Sequence, residues 1–133
     1  MKSLLGLSLA VALTLPVVSL AGSPHFLPND AGCSVVSNTN GHICVAGAEA
    51  GLGDIPSVHI VLTVVAHCQN NGGNDPEAQN KEAFGGNFTE PVFNGRAEYV
   101  VCVDATFKPP CTPPMDVIVD AITLADTSNN IGC

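Results

Sequence analysis

The residues best placed to do chemistry lie in the polar run Gln69 to Lys81, QNNGGNDPEAQNK, where Asn70, Asn71, Asn74, Asp75, Glu77, Asn80 and Lys81 crowd hydrogen-bonding side chains into one connection. Their oxygens are of the type calcium takes, but the EF-hand pattern D-x-[DN]-x-[DN]-G and its bidentate glutamate are absent. Asn, Asp and Gly are equally what a turn-rich loop needs. The run therefore reads as a binding loop without a metal. Glu98 with Asp104, or Asp116 with Asp120, would be the carboxylate pairs of a glycoside hydrolase. Residues at even offsets along a strand share a face, so these acids read more simply as solvated edge positions. His67 stands beside Cys68, but a disulfide sulfur is no nucleophile, and neighbours on a strand point to opposite faces. Ser34, Ser37 and Ser57 lie in no G-x-S-x-G setting. No catalytic residue is assigned and no enzyme is expected. For sugar stacking the aromatic set is Phe26, Phe84, Phe88, Phe93, Tyr99 and Phe107. Phe84 and Phe88 share a strand face and could line a groove, although core positions are the commoner fate of Phe.

The compartment follows from residues 1–21. Lys2 opens a short positive region, an apolar run extends from Leu4 to Val18, and Ser19-Leu20-Ala21 supplies small residues for cleavage. The run is interrupted by Ser8, Thr14 and Pro16 and falls short of the ~20 residues of a membrane span. A secretory signal peptide is expected, with a single exported domain over 22–133 starting at Gly22.

All six cysteines, Cys33, Cys44, Cys68, Cys102, Cys111 and Cys133, lie in that exported part. No CxxC occurs, and His25, His42, His59 and His67 fall at no zinc-finger interval from them. An even cysteine count in an exported chain reads as three disulfides, with the connectivity open. No cofactor is expected.

Without Lys2 the cations are Lys81, Arg96 and Lys108 against 12 carboxylates. Nucleic acid and anionic membranes reward clustered basic charge, so neither is an expected partner. The partner class left is an extracellular protein or a glycan, bound by a monomer. Asn87-Phe88-Thr89 is an N-glycosylation acceptor, which makes a glycoprotein of a eukaryotic product.

Segments rich in Val, Ile and Thr alternate with Gly, Pro and Asn clusters, and no stretch sustains a helical apolar period. Six strands are predicted: Cys33 to Ser37, His42 to Glu49, Val58 to Cys68, Glu82 to Thr89, Arg96 to Phe107 and Asp116 to Asp126. Asn40-Gly41 supplies the positive-φ pair of a tight hairpin between the first two. The third, apolar on both faces, reads as a central strand. In the last, Val117, Val119, Ala121 and Thr123 are assigned to one face, and Asp116, Ile118, Asp120, Ile122 and Leu124 to the other. A short helical turn after Pro76 is expected inside the polar loop. The pattern is all-β, a two-sheet antiparallel β-sandwich of immunoglobulin-like architecture but without any Trp. Cys68 paired with Cys111 would tie the loop to one end of the sandwich. Cys33 with Cys44, across the first hairpin, and Cys102 with Cys133 would complete the set.

Glu49-Ala-Gly-Leu-Gly53, then the loop from Cys68 to Lys81, then Cys111-Thr-Pro-Pro114 together resemble a group of small secreted proteins of uncharacterised function from filamentous fungi and actinomycetes. In that group an EAGLG element precedes a C-x-N-G-G-G-N-x-P-x-A-x-N-K loop and a later C-P-P-G turn. The likeness runs from about Phe26 to Asn129. Asn71 departs from the first glycine of the loop's triplet, Asp116 falls where the group has its Gly-containing turn, and the four cysteines besides Cys68 and Cys111 are additions. The resemblance implies export and the Cys68–Cys111 bridge, and it brings no activity with it. The expectation is an effector-like fungal protein that binds without catalysis through its displayed loop. The alternative is a small cell-wall polysaccharide-binding module or hydrolase.

Overall fold

A computed structural model describes residues 22–28, 33–72 and 81–133. The leader and its cleavage point, the helical turn after Pro76, and Asn74, Asp75, Glu77 and Asn80 lie outside the described residues. The alternating segments form eight strands among those described: β1 (His25–Phe26), β2 (Ser34–Thr39), β3 (His42–Ala50), β4 (Ser57–Gln69), β5 (Glu82–Pro91), β6 (Ala97–Asp104), β7 (Asp116–Asp126) and β8 (Ile131–Gly132). The six long ones sit where the alternation predicts. β1 and β8, two residues each, are too short to leave a periodic signal. The β6 strand ends at Asp104, ahead of the predicted Phe107, because Lys108-Pro109-Pro110 draws the chain away from the ladder and Pro cannot donate to it.

All pairings are antiparallel and make two sheets. In the first, β3 has β6 along one side and β2 followed by β1 along the other. In the second the order is β5-β4-β7-β8, which makes β4 a central strand, as its two apolar faces require. Asn40 (φ 51°) and Gly41 (φ 87°) form the turn between β2 and β3, both in the left-handed region that a two-residue hairpin demands.

The inward faces of the two sheets close on one core. Ile43 and Val45 of β3 and Tyr99, Val101 and Val103 of β6 meet Val58, Ile60, Leu62, Val64 and Ala66 of β4, with Val117 and Leu124 of β7. Each fully buried Val, Leu or Ile contributes ~1.5–3 kcal/mol relative to exposure. Phe84 and Phe88 pack against this core, and Phe84 meets Phe107 edge-on at 5.1 Å.

The faces of β7 depart from the expectation. Val117 and Val119 face the core, but beyond Asp120 the inward residues are Ile122, Leu124 and Asp126, so Ala121 and Thr123 do not share the face of Val117 and Val119 as expected. The register of β4 with β7 shifts here: Val65 pairs with Ala121 and Ala66 with Val119, leaving Asp120 as the extra residue of a β-bulge. One inserted residue inverts the alternation downstream of it.

Cys68 bonds to Cys111 as the sequence implies. The other four cysteines pair as Cys44–Cys102 and Cys33–Cys133, which corrects the expected Cys33–Cys44 and Cys102–Cys133 bridges. The reason is register. Cys44 and Cys102 stand directly opposite on β3 and β6 with 4.1 Å between Cα atoms, whereas the β2 residue level with Cys44 is Ser37 and Cys33 lies beyond Ser34, which faces Ala46. Cys33 is left to meet the C-terminal residue, which β8 carries alongside β7.

Candidate functional site

The strand directions divide the loops between two ends of the sandwich. One end gathers the β2–β3 turn, the connection after β4 and the segment between β6 and β7. Asn38 Nδ2 donates to Val117 O (2.7 Å) and Ala105 N to Gly41 O (2.8 Å), which lashes the hairpin turn to its neighbours. The polar connection leaves from this platform. Asn70 and Asn71 are exposed just past β4, where Gly72 N donates to Asn70 Oδ1 (3.1 Å). Lys81, also exposed, stands immediately before β5.

Both feet of the connection are fixed. At the outgoing foot, Cys68 turns inward, buried, to its bond with Cys111, while His67 takes the opposite face. At the returning foot, Lys81 Nζ lies 3.7 Å from Asp120 Oδ2. The same Asp120 oxygen accepts from His67 Nδ1 at 2.8 Å. The bulge thus gives Asp120 a place from which one carboxylate holds the His67 foot and the Lys81 foot together, a familiar use of bulges for re-aiming a side chain. The His67 hydrogen bond, followed by the nearby cations, holds the Asp120 carboxyl below the usual carboxylate range. Surface pairs of this kind contribute ~0–1 kcal/mol, so their role is positional rather than stabilising.

The remaining sequence candidates are dispersed. Glu98 and Asp104 share the outer face of β6, each already engaged, by Arg96 (2.7 Å) and by His42 (2.7 Å). Asn87 is exposed on β5, the outermost strand of its sheet and accessible to a modifying enzyme. Among the described residues the cluster with metal-type ligands is His42 with Cys44 and Cys102, and both its sulfurs are spent in the bond between them.

At the other end the structure assembles a group that sequence reasoning missed. Glu49, the inward residue near the end of β3, and Asp126, the last residue of β7, are fully buried and face one another across the two sheets. Tyr99 Oη donates to Glu49 Oε2 (3.0 Å). Ser128 N donates to Asp126 Oδ1 (2.8 Å) and Asn129 Nδ2 to Asp126 Oδ2. Glu49 Oε1 has no donor facing it. The facing Asp126 carboxylate disfavours the ionised form of Glu49. Asp126 already accepts from two donors, and a proton on Glu49 gives its orphan oxygen a bond to make. Burial is the main cause that raises the Glu49 carboxyl to about 7, with Asp126 adding to it. Burial, followed by Glu49, likewise drives the Tyr99 phenol above its ordinary value. Gly47 makes room for this. It faces Tyr99 in register, and a Cβ there would come within 2.7 Å of the ring's Cζ. The signal was available in the pattern, since Glu49 falls in phase with inward Ile43 and Val45. A sealed pair has no access to substrate, so it is a structural group and not the carboxylate pair of a hydrolase.

No helix among the described residues is long and apolar enough to cross a membrane. Compared with protein-family models, curated proteins and solved structures, the chain matches none.

Proposed function

We propose that this is an exported, disulfide-stapled β-sandwich that works without catalysis, binding an extracellular partner through the Gln69 to Lys81 connection. The observation that carries this is the double anchoring of the loop: Cys68–Cys111 at one foot, and His67 and Lys81 on Asp120 at both. Binding residues on a loop held by a rigid scaffold lose little freedom on association. Three disulfides suit the oxidising path out of the cell, and the signal-like leader and the likeness to small secreted fungal proteins support a setting outside a fungal cell. An effector released toward a host or a competing microbe is the role that fits.

The test is replacement of Asn74 and Asp75 by Ala in the exported protein, read as binding to host or competitor surfaces. Loss of binding with an unchanged thermal transition supports the reading. Wild-type affinity in the double variant removes the loop as the binding surface.

A further inference from the structure

The end of the molecule opposite the polar loop carries a second surface that the loop reading does not use. Pro91, Phe93, Arg96 and Glu98 line a hollow of about 390 Å³ there. Glu98 also borders a second shallow hollow of about 400 Å³ over the outer faces of β3 and β6, floored by Ala46, Ala48 and Val100. Through Glu98 the two form one strip. From Arg96 to Val100 it measures about 13 Å at the ~3.3 Å rise of a strand residue, which suits an extended chain better than a single small molecule.

Phe93 is the most exposed large apolar side chain among those described, 73% accessible, and Val100 follows at 59%. Phe93 is held rigidly. Asn94 (φ 51°) and Gly95 (φ 74°) make a two-residue turn closed by Phe93 N to Arg96 O (2.8 Å) and Arg96 N to Phe93 O (3.0 Å). Leu52 N donates to Gly95 O and Val92 N to Pro56 O (both 3.0 Å), pinning the turn to the neighbouring connection. Phe93 and Arg96 are cross-strand partners and therefore share a face. Arg96 Nη2 donates to Glu98 Oε1 (2.7 Å), so the guanidinium and carboxylate are neutralised by each other while each keeps hydrogen-bonding groups free for a ligand.

We infer that this strip binds a neutral polysaccharide chain. The C–H faces of its sugar rings lie on Phe93, Val100 and the alanine floor, and its hydroxyls bridge Arg96 and Glu98. A matched ion pair offers donors and acceptors together, which is what a hydroxyl needs. A polyanionic glycan is disfavoured by a chain of net charge −8 whose one arginine here is already paired. The surface is independent of the polar loop, at the far end of the strands.

Retention of the purified exported protein on insoluble β-glucan, chitin and cellulose tests this, using wild type, Phe93→Ala, Phe93→Trp and the loop variant Asn74→Ala/Asp75→Ala. The expected result is retention of wild type on at least one polymer, undiminished by added salt, weakened about tenfold or more by Phe93→Ala, kept by Phe93→Trp and untouched by the loop variant. Thermal unfolding certifies the fold of each variant. No retention of wild type, equal retention of Phe93→Ala, or retention only on charged polymers and lost in salt overturns the proposal. So does concentration-dependent self-association abolished by Phe93→Ala, which would assign the strip to a second copy of the chain. Because the loop variant is scored in parallel, failure here leaves the loop reading standing, and the converse also holds.

Discussion

Glu49 shows how one in-phase residue couples the fold to pH. Its carboxyl is raised to about 7 by burial and by Asp126, against 4.5 for the free group. Between these values the folded chain holds a proton that the unfolded chain has released, so stability falls as pH rises across that window. The contribution is fully present below about 4.5 and is lost as pH passes about 7, with a ceiling of about 3 kcal/mol. Chemical unfolding followed from pH 5 to pH 8 should show this decline, and Glu49→Gln, which is neutral at every pH and still accepts from Tyr99, should flatten it. A Glu49→Gln protein with the wild-type slope would place the titrating group elsewhere. Gly47→Ala tests the same cluster sterically. Its Cβ would strike the Tyr99 ring, so the variant should lose about 1–3 kcal/mol, the usual cost of overpacking, in denaturant titration. The inward phase of Glu49 was legible in the sequence. Its partner was not, because Asp126 reaches it from the opposite sheet and only after the bulge at Asp120 has inverted the phase of β7.

At the scale of elements, the strands were legible because a half-buried strand writes its faces into every second residue, as Ala97, Tyr99, Val101 and Val103 do in β6. The hairpin turn was legible because Asn40-Gly41 is a local chemical signal. The bulge was not: an extra residue in a ladder has no composition of its own and is defined by the partner strand. The two mispaired bridges failed similarly, since the facing of Cys44 and Cys102 depends on a register between strands that two other strands separate in sequence. The loop anchors separate the local from the global part of stability. Asp120→Ala removes only surface pairs, so it should change the unfolding midpoint little while speeding proteolytic cleavage within the loop. Replacing both Cys68 and Cys111 by Ala should cost about 2–4 kcal/mol as well. Equal cleavage rates for wild type and Asp120→Ala would show that His67 and Lys81 do not restrain the loop through that carboxylate.

For the whole molecule the governing link is Cys33–Cys133, which joins the start of β2 to the last residue at a sequence separation of 100. Taken alone it closes a loop over most of the chain from Gly22 onward, whereas Cys44–Cys102 and Cys68–Cys111 close shorter loops, at separations of 58 and 43. Chain entropy makes the long closure worth about 4–5 kcal/mol and the others somewhat less. Kept as the sole bridge, Cys33–Cys133 should therefore stabilise the chain most, though by a margin that grows only with the logarithm of loop length. Thermal melts of the three proteins that each keep one bridge give the order. The proposed export and this connectivity together make a covalent prediction: protein recovered from the medium should begin at Gly22, be lighter than its reduced form by the hydrogens of six thiols, and yield Cys33–Cys133, Cys44–Cys102 and Cys68–Cys111 peptides on digestion without reductant. Free thiols in the native protein would place it in a reducing compartment, and the two proposed extracellular binding surfaces would then lose their setting. A map lacking Cys44–Cys102 would break the register of β3 with β6, and with it the outer strip from Phe93 to Val100.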